Sequence, residues 1–438
     1  MGTLIMIAQL ILGLSILVFI HELGHYLAAR AFKIRVEKFY LFFDAWNFKL
    51  FKFKKGDTEY GIGWLPFGGY VKIAGMVDES MDKEQMKQPP QPWEFRSKPA
   101  WQRLIVMVAG VVMNLILGVI IFTGVILHYE KEYLPSSSIT NGIYAYPAGR
   151  AIGFETGDKV LKINGKHAER FKDVTSVNVL MGATITIDRN GVTKDIVVPD
   201  TLYRMYNKKI RDFFIDSHNF DFAIDSILPG KNADKAGLKK NDRIFSIDTV
   251  KIKTFGAFRE HIWNYKNKSV AMGVLRNKDT LRLTVKIDSN GEIGIVIPKT
   301  PYTLKAYTIG SGIKYGMKDA IGNLWANMRG LGKIFRGKES ASESIQGPIG
   351  IMKIYGDVWD WHRFWIITGL ISVVLAFMNI LPIPALDGGH VIFTTVELIT
   401  RRPVPQKVLE RAQVVGMILL IALMVFAVFN DVWKNFIR

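Results

Sequence analysis

Four stretches of this chain are apolar and uncharged over lengths that suit a bilayer. From Leu4 to Ile20 only Gln9 is strongly polar. Leu104 to Leu127 carries no charge and holds Asn114 in its interior. A third stretch runs from Phe364 to Leu381 and is broken by Pro382 and Pro384, ahead of Leu386-Asp387-Gly388-Gly389. A fourth runs from Val414 to Phe429. The pattern predicts four transmembrane helices, and an even number places both termini on one side of the membrane.

Between the second and third spans the pattern changes. Alternating segments such as Thr184 to Asp188 and Leu281 to Ile287 read as strands. They belong to an internal repeat. Gly153-Phe154-x-x-Gly157-Asp158-x-Val160-x-x-Ile163-Asn164-Gly165 has the spacing of Gly237-Leu238-x-x-Asn241-Asp242-x-Ile244-x-x-Ile247-Asp248. Two similar β-rich modules in tandem follow, and the spacing resembles the PDZ domain, which offers a sheet edge to an extended peptide. The second copy departs from the first, with Asn241 in place of Gly157 and Thr249 in place of Gly165. The modules are expected either to bind peptide or protein ligands or to serve as bulk. From Ile313 to Phe335 the apolar residues Ile313, Met317, Ile321, Leu324, Met328, Leu331 and Phe335 recur at steps of three and four. That stripe, with Lys314, Lys318, Arg329, Lys333 and Arg336 off it, predicts a basic amphipathic helix. It would lie at the membrane interface or pack on the module pair.

Charge orients the spans. The chain has 57 Lys and Arg against 39 Asp and Glu, a net +18. The excess surrounds the apolar segments, and no nucleic-acid motif accompanies it, so an anionic bilayer surface is the expected counterpart. Lys33, Arg35, Lys38, Lys49, Lys52, Lys54 and Lys55 follow the first span; Arg401, Arg402, Lys407 and Arg411 separate the third from the fourth. Both loops are then cytoplasmic, and the region from about 129 to 362 extracytoplasmic. Cysteine is absent, which excludes disulfides, thiol nucleophiles and thiolate ligands.

Candidate chemistry sits at the end of the first span. His21 and His25 are four apart and share a helix face, with Glu22 beside them. The spacing suits two imidazoles on one zinc ion, with the carboxylate as general base. A third protein ligand is needed, and Asp387 is expected to supply it, because a lone carboxylate at a helix break inside a membrane segment is costly. His390 is the rival. The topology agrees: spans one and three both end on the cytoplasmic side, so His21, His25 and Asp387 meet at one depth.

His21-Glu22-x-x-His25, with Asn379-x-x-Pro382-x-Pro384-x-Leu386-Asp387-Gly388, resembles the site-2 protease family of intramembrane zinc metalloproteases. The resemblance extends over most of the chain, including Pro66-Phe67-Gly68-Gly69-Tyr70-Val71-Lys72, similar to the family's membrane-associated β-hairpin, and the run from Phe95 to Asn114. Val111 and Val374 depart from it, standing where the family usually has proline and often has asparagine. The resemblance implies proteolysis inside a bacterial inner membrane, on transmembrane substrates of the anti-sigma factor or remnant signal peptide type. Zinc would be held by His21, His25 and Asp387, and Glu22 would be catalytic. Asn379 would hold substrate or the oxyanion, or else make a helix–helix hydrogen bond. Gly68, Gly69 and Tyr70 would belong to an edge strand that captures unwound substrate, or to a plain cytoplasmic turn.

The expected fold is therefore a polytopic α-helical membrane protein with four transmembrane helices, a membrane-associated β-hairpin and two tandem extracytoplasmic PDZ domains. The expected map is span one at 1–31, a loop with the hairpin at 32–103, span two at 104–128, PDZ domains at 129–212 and 213–302, amphipathic helix and linker at 303–362, span three at 363–392, a loop at 393–411 and span four at 412–438. The competing readings are a PDZ-bearing membrane scaffold without chemistry and a zinc transporter or sensor.

Overall fold

The computed structural model describes residues 1–76, 89–203, 214–297 and 300–434. The chain divides into two compact units, one of 1–130 with 308–438 and one of 131–307.

The first unit is built on helices. Four are long and apolar enough to cross a membrane: α1 (Gly2–Ala31), α2 (Ala100–Val125, extended by a wider turn to Glu130), Trp361–Ile380 and Gln406–Val432. The chain is thus a membrane protein with β-rich parts. α1 and α2 cross closely because small residues face each other. A Cβ on Gly24 would come within 2.5 Å of the Ala109 carbonyl oxygen.

After α1 the chain forms β1 (Val36–Phe43), β2 (Lys49–Lys55), β3 (Thr58–Gly63) and β4 (Leu65–Ile73). The expected hairpin is instead a four-stranded sheet in the order β2-β3-β1-β4, with β1 and β3 parallel. Among the described residues β4 pairs with β1 alone, in a register that sets Tyr40 opposite Tyr70 and Leu41 opposite Gly69, and its other edge has no strand partner there. A buried cluster of Ala29, Ile34, Val36, Ile73, Phe95, Val106 and Met107 fixes this sheet to the ends of α1 and α2. The hydroxyl of Tyr40 and the ammonium of Lys49 both donate to Glu59, at 2.6 and 2.9 Å, and hold its carboxyl down at about 2.

The amphipathic segment is α3 (Ile309–Phe335), begun by a capping box of Thr308 and Ser311. It lies along α2 and the Trp361–Ile380 helix. Its inward face is mostly small, with Gly312, Gly316, Ala320 and Ala326 buried alongside Tyr315 and Lys333, while Ile313, Met317, Ile321, Met328 and Phe335 of the apolar stripe are exposed. A Cβ on Gly316 would meet Thr123 of α2 at 2.3 Å. Small residues inward and large apolar residues outward is the packing of helices in lipid.

A short α4 (Pro348–Tyr355) follows, then α5 (Trp361–Ile380). The break at Pro382 and Pro384 ends α5, and α6 (Asp387–Thr400) starts at the aspartate. The loop expected from 393 therefore begins only after Thr400. Arg103 of α2 pairs with Glu397 of α6. α7 (Gln406–Val432) is mostly exposed, as a lipid-facing helix is.

The second unit contains two four-stranded sheets of one design. The first uses β5 (Lys159–Ile163), β6 (Lys166–His167), β7 (Ala183–Arg189) and β8 (Val192–Val198) in the order β8-β7-β5-β6. The second uses β9 (Arg243–Ile247), β10 (Val250–Lys251), β11 (Ser269–Arg276) and β12 (Asp279–Lys286) in the order β10-β9-β11-β12, the same topology. The repeated Gly-x-x-x-x-Asp also has a common purpose. Arg189 grips both oxygens of Asp158 and the carbonyl of Gly153; Arg276 grips both oxygens of Asp242 and the carbonyl of Gly237. Burial raises the Asp242 pKa, but the bonds from Arg276 outweigh it and the carboxyl titrates below its usual range. Asn241 keeps a positive φ of 68° where Gly157 has 106°, which asparagine tolerates. The expected boundary at 212–213 lies outside the described residues. Beyond it, Ile215–Asp216 still pairs with Tyr144–Ala145 of the first module, so that module extends past the expected end.

Candidate metal centre

Two helices bring the ionisable residues together. α1 presents His21 and His25 one turn apart, and α6 places Asp387 on its first turn against them. Asp387 Oδ2 stands 3.2 Å from His21 Nε2 and 3.3 Å from His25 Nε2, and the two Nε2 atoms are 3.3 Å apart. Among the described residues, these three form the one cluster spaced to share a metal ion. Both imidazoles are buried.

The surroundings define which nitrogens are available. His25 Nδ1 lies 2.8 Å from the Val106 carbonyl, so Nδ1 carries the proton and Nε2 keeps its lone pair. His21 Nδ1 faces the side-chain amide of Asn114 at 3.3 Å. Asn114 is wholly buried, and its Oδ1 has no partner as oriented. Turning the amide over presents that oxygen to His21 Nδ1–H and frees Nε2 in the same way. Ser372 of α5 in turn donates to the Asn114 carbonyl at 2.7 Å. Asp387 Oδ2 is also buried without a hydrogen bond, despite two nitrogens near it. Two imidazole lone pairs and a carboxylate oxygen aimed at one point repel each other unless a cation stands among them. The donor set of two nitrogens and one oxygen is that of a catalytic zinc site, which leaves a fourth position for water.

Room for substrate adjoins the triad. A cavity of about 480 Å³ is lined by His21, Glu22, His25, Asp387 and His390, by Gly69 to Ile73 of β4, by Lys38 and Asp44, and by Met107 and Gln413. Glu22 therefore shares the cavity with the metal ligands. Gly69 and Tyr70 are on its wall, whereas Gly68 is not. The Tyr70 hydroxyl donates to Asp44 at 2.9 Å, and its ring stacks between Tyr40 and Phe43. Asn379 of α5 reaches His21 Nε2 at 3.1 Å, a contact between helices that keeps its amide at the rim of the site. Sequence reasoning did not assign roles to Asn114, Ser372 or Gln413. Asn114 and Ser372 carried the signal of polarity within an apolar span, whereas Gln413 sits just ahead of one, among charged residues.

The geometry is that of a metallohydrolase embedded among membrane helices, and the chain compares accordingly. The model of peptidase family M50 matches residues 9–423. This chain belongs to peptidase family M50. A Haemophilus influenzae protein named regulator of sigma E protease is 27% identical over 458 residues, covering 97% of this chain and 98% of its own. A Treponema pallidum protein that carries a zinc-metalloprotease name is 26% identical over 454 residues, at 98% of both chains. The Caulobacter vibrioides metalloprotease MmpA is 26% identical over 447 residues, covering 98% and 96%. The M50 peptidase is thus a zinc-dependent metalloendopeptidase, which sets aside the scaffold and the transporter or sensor.

Proposed function

We propose that this M50 peptidase hydrolyses peptide bonds within the transmembrane segments of other membrane proteins. The observation that supports it most directly is the shared cavity. The open strand β4 and the His21–His25–Asp387 triad line one space beside helices of membrane-crossing length. A transmembrane helix shields its peptide bonds by internal hydrogen bonding, so cleavage requires local unwinding. The unwound segment adds to the free edge of β4 near Gly69 and Tyr70, which meets its exposed backbone groups.

His21, His25 and Asp387 hold the zinc, which when bound acidifies its water and polarises the scissile carbonyl. Glu22 takes the proton of the attacking water as its oxygen bonds to the carbonyl carbon. It delivers that proton to the amide nitrogen as the C–N bond breaks. Asn379 orients the substrate backbone once zinc occupies His21 Nε2.

On this reading the site lies on the cytoplasmic side of a bacterial inner membrane and the second unit in the periplasm, which the basic loops support. Its two modules are read as PDZ domains that screen bulky substrates. The substrates are of the anti-sigma factor or remnant signal peptide type, a reading supported by the sigma E name of the Haemophilus influenzae relative.

The test uses the full chain in detergent with a model transmembrane substrate. Glu22→Gln should bind zinc normally and lose cleavage by about 10³-fold or more, in the range of a lost general base. Asp387→Asn should lose zinc and cleavage together. A wild-type protein that retains zinc and digests unfolded peptides but leaves the transmembrane substrate intact would overturn the reading.

A further inference from the structure

We infer that Gln413 is a substrate-positioning residue that hydrogen-bonds the backbone of the segment being cut, on the side away from β4. The inference rests on the strand-capture reading above.

The position of Gln413 is unusual for its helix. α7 is exposed along most of its length, and its buried residues are Gln413, Gly416, Asn430 and Asp431. The last two act at the far end of the helix. Asp431 accepts from the backbone N–H groups of Gly347 and Gly350 at 3.0 and 2.8 Å, and Asn430 donates to the carbonyls of Ser342 and Ile345. Gly416 brings the near end against the loop that carries Asp387: a Cβ there would stand 1.7 Å from the Pro384 carbonyl oxygen. One turn earlier, Gln413 is carried to the cavity wall beside His21, Glu22, His25 and Asp387.

The residue is 92% buried, and its amide, which lines the cavity, makes no hydrogen bond among the described residues. Leaving such a group unpaired in an apolar setting is unfavourable, and an apolar residue would fill the place without that cost. What enters the cavity can satisfy it. A segment added to β4 has its N–H and C=O groups met along one edge only. Along the other edge they are cut off from water and need partners. A carboxamide offers both N–H donors and a carbonyl acceptor, and so can meet the C=O and N–H of a peptide backbone. Gln413 is therefore placed to complete what β4 begins.

The full-length enzyme is assayed on synthetic transmembrane substrates in which single amides near the scissile bond are replaced by esters, one per peptide. Gln413→Met keeps the length of the side chain and removes the amide. It should lower kcat/KM about tenfold, with zinc content and thermal unfolding unchanged. In the wild type, ester replacement at the residue facing Gln413 should cost a similar factor. In the methionine variant that ester should cost nothing further, while esters facing β4 still do. Gln413→Ala, which adds no volume, should show the same pattern if the methionine variant folds poorly. Wild-type rates in both variants would overturn the inference, as would ester losses that multiply with the variant's loss at every position. Failure of the wild-type enzyme to cut any transmembrane substrate would instead overturn the strand-capture reading, and this inference with it.

Discussion

Gly110 is where the metal centre is most sensitive to a single atom. It faces the histidines across the α1–α2 contact, and a Cβ there would lie 2.3 Å from His25 Nε2 and 2.7 Å from His21 Cε1. Ordinary contact needs more than an ångström of retreat, and both rings are buried with nowhere to move freely. Gly110→Ala should therefore lower zinc affinity by at least about tenfold, the scale on which disturbing the shell around metal ligands acts. Gly124→Ala, in the same helix, has nothing within 4 Å of its added Cβ and serves as the control. Zinc-to-protein ratios after dialysis against graded chelator decide it: equal retention by both variants would mean that the metal is held elsewhere. At this scale the ligand candidates were legible because polar residues in an apolar run stand out. Asn114 and Ser372 also lie in such runs, and Gln413 just ahead of one, but their partners depend on how non-adjacent helices are rotated, which spacing along the chain does not record.

Among the elements, β4 and α3 show opposite ways in which pattern can mislead. The resemblance of Pro66 to Lys72 implied a hairpin, and the glycines and β-formers from Glu59 to Ile73 an edge strand; strands are there. The parallel pairing of β1 with β3, however, inserts β1 between β3 and β4 and leaves β4 at the edge beside the cavity. Successive N–H groups of a strand point to opposite edges. Of Val71→Pro and Lys72→Pro, one removes a donor to β1 and the other a donor on the open edge. The open-edge variant should lose transmembrane cleavage while keeping zinc and thermal stability, whereas the other should lower stability as well. Full cleavage by both would exclude strand capture. In α3 the helical period was legible but its inward face was not. A large apolar stripe marks the core side in water; beside spanning helices the large residues face outward and Gly312, Gly316 and Ala320 make the contact. The repeat in the second unit read more directly, since its Gly-x-x-x-x-Asp spacing reflects a contact made within each module, the aspartate held by Arg189 or Arg276.

At the scale of the whole molecule, the second unit is an insertion, and the way it is tied off makes its role testable. The chain leaves the first unit at Glu130 and returns at Thr308. At that junction the Tyr307 N–H donates to the Lys131 carbonyl at 2.8 Å, and Lys305–Ala306 pairs with Glu132–Tyr133. Entry and exit are thus hydrogen-bonded neighbours, so removing 131–307 and joining the ends with a few Gly and Ser residues opens no gap in the first unit. The metal ligands, Glu22, β4 and Gln413 all belong to the part that remains. The excised enzyme should keep its zinc and cleave substrates with short external segments at close to the full-length rate. The proposed function gives screening of bulky substrates to the second unit, so the full chain should reject substrates that carry a folded external domain and the excised protein should cleave them. Both rates are read from one gel assay with two substrates that differ only in that domain. Continued rejection of the bulky substrate by an excised enzyme that still cuts the short one would place the filter within the membrane unit.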